Sequence, residues 1–143
     1  MINKIKVAKN FYLSEFQSPD TKTVMIEPEL LKKLQDLRDM LKEPITITSG
    51  YRTIEHHEAI YKRIYGENYW QYCPRKSYHL SGQAVDILLS KRYPKNLKEW
   101  ALSAGFRGII LNYEKGYLHL DIRPVSYITQ IGDPTEDRTG SGS

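Results

Sequence analysis

The chain has 143 residues, 40% of them hydrophobic and 27% charged, which suits one domain around a single core and excludes a disordered or fibrous chain. Its formal net charge is +4, but 21 Lys and Arg residues are interspersed with 17 acids, so no dense basic stripe points to nucleic acid. The mild positive balance suits approach to an anionic polymer such as a bacterial cell wall, and the single cysteine, Cys73, excludes an internal disulfide and a cysteine-rich zinc site.

The opening MINKIKVAKN lacks the apolar run of a signal peptide, and no window reaches the roughly 18 apolar residues of a membrane span. A soluble monomer made in the cytoplasm, without a membrane partner, is the expectation. Next, NFYLSEFQSPDT offers Phe11, Leu13 and Phe16 as apolar anchors before a turn at Pro19 to Thr21. In PELLKKLQDLRDML, Leu30, Leu31, Leu34, Leu37 and Leu41 recur at three- and four-residue spacing, which predicts a helix over 28–41, opened by Pro28 and stopped by Pro44. ITITS at 45–49 predicts a short strand running into GYRT at 50–53, so Arg52 stands at a strand's end. IEHHEAIYKRIYG predicts a second helix closed by Gly66, and the aromatic-rich ENYWQYCPRKS at 67–77 predicts a loop beside a cleft, with Cys73 an ordinary thiol in it. His56 and His57, adjacent on that helix, cannot face one metal together and read as surface or cleft-edge residues.

AVDILL at 84–89 predicts a buried strand and NLKEWALSAG at 96–105 a third helix. FRGIIL at 106–111 and YLHLDIR at 117–123 predict the last two strands, joined by a hairpin turn in NYEKG. The domain is expected to span residues 1–133, and PTEDRTGSGS at 134–143 reads as a disordered tail ending in an appended linker.

Chemistry concentrates in SYHLSGQAVDI at 77–87 and LHLDIR at 118–123, where histidines and aspartates interrupt apolar runs. Burying such groups costs several kcal/mol unless they are paired or hold a metal. The two-residue period of a strand sets Leu118, Leu120 and Ile122 on one face and Tyr117, His119, Asp121 and Arg123 on the other. The small pair Ser81-Gly82 lets the chain fold back so that His79 and Asp86 can meet, with His119 arriving from the hairpin. Two imidazoles and a carboxylate form a recurrent set for catalytic zinc, which leaves a fourth position for water, and two histidines disfavour calcium.

SYHLSGQAVDI resembles the pattern S-x-H-x-x-G-x-A-x-D of the M15 zinc peptidases, a group of D-Ala-D-Ala carboxypeptidases, dipeptidases and phage endolysins. TSGYRT at 48–53 resembles the family's strand-end motif and YLHLD its third-ligand strand, so the likeness spans roughly residues 11–124 in the family's order, while the HEXXH motif is absent. The resemblance implies an α+β fold shared with the hedgehog signalling domain, a small antiparallel sheet with flanking helices. It implies one zinc ion held by His79, Asp86 and His119, and hydrolysis of amide bonds in peptidoglycan stem peptides by a carboxypeptidase or endopeptidase.

Arg52 matches the family arginine that holds the substrate's carbonyl or carboxylate, a task suited to a planar guanidinium, with an ion pair to Asp86 or Asp121 as the alternative. Ser77 matches a family position that supports the turn and the substrate side of the site. Two positions depart from the pattern: Gly116 stands where many members carry an acid, and Tyr117 where a histidine is common. The general base is therefore open between Glu114, favoured because a hairpin turn can fold its longer side chain over the metal's open position, and Asp121 on the strand, with Tyr117 joining Arg52 as a candidate for stabilising the oxyanion. A zinc-holding binding module without hydrolysis is the rival expectation, and an enzyme of this kind without a signal peptide suits a phage lysis or virion-associated protein.

Overall fold

In the computed structural model, which describes residues 2–134, the leucine spacing of PELLKKLQDLRDML becomes helix α1 (Pro28–Leu41). Pro28 stands in the first turn, where its missing N–H has no intrahelical partner to lose, and Lys42 closes the helix in the left-handed conformation. Leu30, Leu34, Leu37 and Leu41 are buried, while Leu31 is half-buried at the edge of the stripe. Helix α2 (Ile54–Tyr65) starts at Thr53, whose hydroxyl accepts the His56 N–H at 3.1 Å, and α3 (Leu97–Ala104) ends at Gly105.

Strands β1 (Lys6–Ala8) and β2 (Phe11–Tyr12) form a small pair of their own. The remaining five, β3 (Ile47–Ser49), β4 (Ala84–Leu88), β5 (Gly108–Asn112), β6 (Tyr117–Asp121) and β7 (Tyr127–Ile131), form one sheet in the order β3-β4-β6-β5-β7. Strands and helices alternate through β3-α2-β4-α3-β5, but every pairing of neighbours among β3, β4, β6 and β5 is antiparallel, so the fold is α+β as expected.

The sheet is not purely antiparallel. β7, which follows the expected last strand, lies beside β5 in parallel and forms an edge. Its sequence YITQI carries little apolar signal because most of its side chains face solvent, and the hairpin pattern sought on either side of a turn does not reveal a strand that crosses over. Residues 66–71, which overlap the stretch at 67–77 expected to be a loop, wind into 3-10 turns instead. The tail assigned to 134–143 lies outside the described residues from Thr135 onward.

One face of the sheet supplies Val85, Ile87, Ile109, Leu111, Leu118 and Leu120 to the cluster that α1 and α3 complete. Leu118 and Leu120 are 0% exposed, and each such side chain contributes about 1.5–3 kcal/mol of burial free energy. Since neighbouring residues on a strand alternate faces, fixing Leu118 and Leu120 in the core fixes Tyr117, His119 and Asp121 on the opposite face. No helix among the described residues is long and apolar enough to cross a membrane.

Candidate metal centre

β4 and β6 pair in a register that sets Asp86 directly opposite His119. His79 reaches the same point from a 3-10 turn, Tyr78–Ser81, whose first N–H groups are met by Ser77: its Oγ accepts from His79 N at 3.3 Å. Gly82 then reverses the chain at φ 71°, and a side chain there would meet the Met25 carbonyl oxygen at 2.6 Å, so the position suits glycine alone.

Three donor atoms converge. Asp86 Oδ1 lies 3.3 Å from His79 Nε2 and 2.9 Å from His119 Nδ1, and all three atoms fall within 4.8 Å of one another. The other nitrogen of each imidazole is already committed to an acceptor. His79 Nδ1 donates to the Gly50 carbonyl at 2.7 Å, and His119 Nε2 donates to Asp121 Oδ2 at 2.7 Å. That is the arrangement of metal-binding histidines, in which the outer hydrogen bond selects the tautomer and aims the inner nitrogen. Two imidazoles and a carboxylate, buried or half-buried and mutually oriented in this way, fit zinc.

Without an ion, the cluster is held by charge. Burial disfavours the Asp86 carboxylate, yet the imidazoles of His79 and His119 outweigh it and hold the group well below the usual carboxylate range. Burial also works against a charged His119, but hydrogen bonds to Asp121 and Asp86 push its pKa up to about 9.

Asp121 is 0% exposed, and both of its oxygens are taken. Oδ1 accepts from the Arg123 backbone N–H at 3.1 Å and from Arg123 Nε at 2.8 Å; Oδ2 accepts from His119 Nε2 and from Arg123 Nη2. Both oxygens are committed to His119 and Arg123, and the carboxylate lies behind His119 and outside the cleft lining. Glu114 is not brought to the centre either. The β5–β6 turn closes with Lys115 N donating to Asn112 Oδ1 at 2.9 Å and Tyr113 N to the Ile131 carbonyl at 2.7 Å, which sets the exposed Glu114 against Gly132 and away from the cleft lining. The expectation that this turn folds its acid over the ligands fails because β7 captures the turn.

Arg52 does face the centre. Its Nη2 donates to Asp86 Oδ2 at 3.3 Å, Nε to Ser49 Oγ at 3.0 Å and Nη1 to His57 Nδ1 at 3.2 Å. The ion pair with Asp86 and the place in the cleft wall are thus both realised by one side chain. Of the two places the sequence suggests for His57, surface or cleft edge, the surface is ruled out: it is 0% exposed behind Arg52 of the cleft wall, and its Nε2 donates to the Pro74 carbonyl at 2.8 Å, which leaves Nδ1 to accept from Arg52. Burial holds its pKa down, in keeping with that neutral form. Its neighbour His56 stays on the outer side of α2, as two adjacent helical residues must diverge.

The cleft above these groups has a volume of about 340 Å³, and Arg52, Ser77 and Tyr117 all line it together with the three donors. Tyr61, Lys76 and Arg123 complete its polar wall. Gly50, His57 and Gly108 were not evident from the sequence as parts of the site, since each acts through a neighbour that arrives from elsewhere in the chain.

A sequence profile of the family described as Peptidase M15 matches residues 9–121. The peptidoglycan L,D-endopeptidase MepK of Escherichia coli (strain K12) and that of Shigella flexneri are each 27% identical to this chain over 120 residues, which is 82% of this chain and 62% of theirs. The chain thus spans less than two thirds of the length of these curated relatives. The profile runs from just before β2 to the last residue of β6 and takes in the whole His79, Asp86 and His119 set, and the chain belongs to the peptidase M15 family.

Proposed function

We propose that this chain is a zinc-dependent peptidase that hydrolyses amide bonds in peptidoglycan stem peptides. The observation that carries the reading is the convergence of His79 Nε2, Asp86 Oδ1 and His119 Nδ1, with each imidazole's other nitrogen given to an acceptor, in a chain of a peptidase family. These residues would hold the ion through three protein donors and leave one position open. When bound, zinc supplies Lewis acidity for the scissile carbonyl and lowers the pKa of a water.

The remaining roles fall to side chains of the cleft. Arg52, fixed by Ser49, His57 and Asp86, presents its guanidinium to the substrate's carbonyl or carboxylate and to the oxyanion that develops. Tyr117 offers a phenol on the same strand face as His119 and donates to that oxyanion. Ser77 shapes the turn that carries His79 and borders the substrate. With Arg52 and Lys76 in its wall, the cleft favours peptides that carry carboxylates, as stem peptides do. The likeness to MepK favours endopeptidase over carboxypeptidase action.

A second reading is a zinc-holding module that binds stem peptides without cleaving them. Its support is that Asp86, itself a metal donor, is the sole carboxylate lining the cleft among the described residues. Digestion of purified muropeptides with the zinc-loaded protein, followed by mass spectrometry, separates the two. Cleaved cross-linked dimers are expected from the parent, and loss of both zinc and cleavage from His79→Ala and His119→Ala. Intact muropeptides with zinc bound would favour the module, and full zinc content in both variants would overturn the ligand assignment.

A further inference from the structure

The Arg123 guanidinium is bracketed by two phenol rings. Its Cζ lies 5.0 Å from the centroid of Tyr78 and 5.0 Å from that of Tyr127, within the range of cation–π attraction. Tyr78 belongs to the turn that carries His79, and Tyr127 is the first residue of β7, paired in register with Gly108. Between these rings Arg123 presents its fork to Asp121 and occupies both oxygens, and Asp121 in turn holds His119 Nε2. The carboxylate is closed in on its remaining side by Gly108, where even a methyl group would overlap it.

An ordinary exposed Arg–Asp pair contributes little to stability and positions nothing. This pair differs in that one partner is fully buried and, among the described residues, its other ion-pair partner is a metal-type histidine. A carboxylate that accepts from one imidazole alone could pivot about its Cβ–Cγ bond; two donors from a planar guanidinium remove that freedom, and a lysine ammonium could not do so in the same geometry.

We infer that Arg123 is a positioning residue of the metal centre: clamped between Tyr78 and Tyr127, it locks the Asp121 carboxylate so that His119 presents Nδ1 to the ion, and it links metal affinity to the docking of β7. The inference rests on the zinc reading above and adds to it a residue and a strand that touch neither ion nor substrate peptide bond.

The test measures zinc affinity by competition with a chromophoric chelator and the visible spectrum of the cobalt(II)-substituted protein, which reports ligand geometry. Parent, Arg123→Lys and Tyr127→Leu are compared, with far-UV circular dichroism as the check on folding. Arg123→Lys is expected to lower zinc affinity about 10- to 100-fold, the cost of losing a partner behind a metal ligand, and to alter the cobalt spectrum. Tyr127→Leu keeps the Arg–Asp pair, removes one ring of the clamp, and is expected to shift both readouts in the same direction by less. A folded Arg123→Lys with parental affinity and spectrum would overturn the inference. If Arg123→Lys does not fold, a Tyr127→Leu protein with parental affinity and spectrum overturns it instead. A parent that binds neither ion would overturn the zinc reading itself, and this inference with it.

Discussion

Gly108→Ala offers the sharpest test of how the centre is packed. In a strand, replacing glycine by alanine ordinarily stabilises by about 0.5–1 kcal/mol, because the unfolded chain loses freedom. Gly108 is buried in β5 and is absent from the positive-φ glycines, so its backbone suits alanine. The obstacle lies across the ladder, where Gly108 faces Asp121 and the new methyl would overlap the carboxylate. Asp121 has nowhere to retreat, being held by His119 on one side and by Arg123 on the other. Overpacking of this kind costs about 1–3 kcal/mol, and with both oxygens of Asp121 held the upper half of that range applies, which turns the usual gain into a net loss of about 1–2.5 kcal/mol. Displacing the carboxylate also frees the His119 ring, so zinc affinity is expected to fall about 10- to 100-fold. Urea unfolding of the metal-free protein, followed by circular dichroism, gives the first quantity, and chelator competition gives the second. A Gly108→Ala protein at least as stable as the parent, with unchanged zinc affinity, would refute the packing argument.

Zinc binding is expected to release about one proton near neutral pH, because metal-free His119 has its pKa raised to about 9 and must lose that proton to bind. Apparent affinity should therefore rise about tenfold per pH unit between pH 7 and 9 and level off above, as calorimetry in buffers of different ionisation enthalpy will register; a flat profile contradicts the assigned hydrogen bonds. By the same linkage, the charged His119 stabilises the metal-free fold fully below about pH 6.5 and loses that contribution as pH rises through about 9, so the urea midpoint should fall over that interval. Glu114→Gln should cleave muropeptides at the parental rate, since the side chain lies away from the cleft, whereas Tyr117→Phe should lower turnover about 10-fold or more with zinc retained. An inert, zinc-loaded Glu114→Gln would return the proton-transfer role to that turn.

The sequence reading succeeds where periodicity and burial act on the same residues. The leucines of α1 and the alternation of YLHLD fix which face is core, and the second of these delivers His119 and Asp121 to the cleft side without any knowledge of partners. His79 and Asp86 are legible as a pair because Ser81-Gly82 dictates a tight reversal between them. The failures share a cause. His57 stands next to His56 on a helix whose buried face is short, so nothing local tells which of the two turns inward; the decision belongs to Arg52 and the Pro74 carbonyl, which come from other segments. Glu114 sits where a hairpin could fold either way, and β7, an exposed edge strand with weak patterning, settles the direction. Arg123 was visible as a charge on the correct face, but its role depends on Tyr127 from that same strand.

Asp86 and His119 owe their meeting to strand register, whereas the stretch 67–76, of which Pro74 and Lys76 line the cleft, spans the gap between α2 and the His79 turn. Inserting one residue into β4 or β6 would turn a donor into the core, so those strands tolerate no change of length. Apart from Pro74, whose carbonyl holds His57, the connecting stretch is under no such rule: it can be lengthened, shortened or rewritten while the ladder beneath stays in step. Reactivity and selectivity are thus inherited on separate pieces of this chain. Variation confined to 67–76 is a route by which one unchanged centre acquires new peptide preferences, in natural descent or in a combinatorial library.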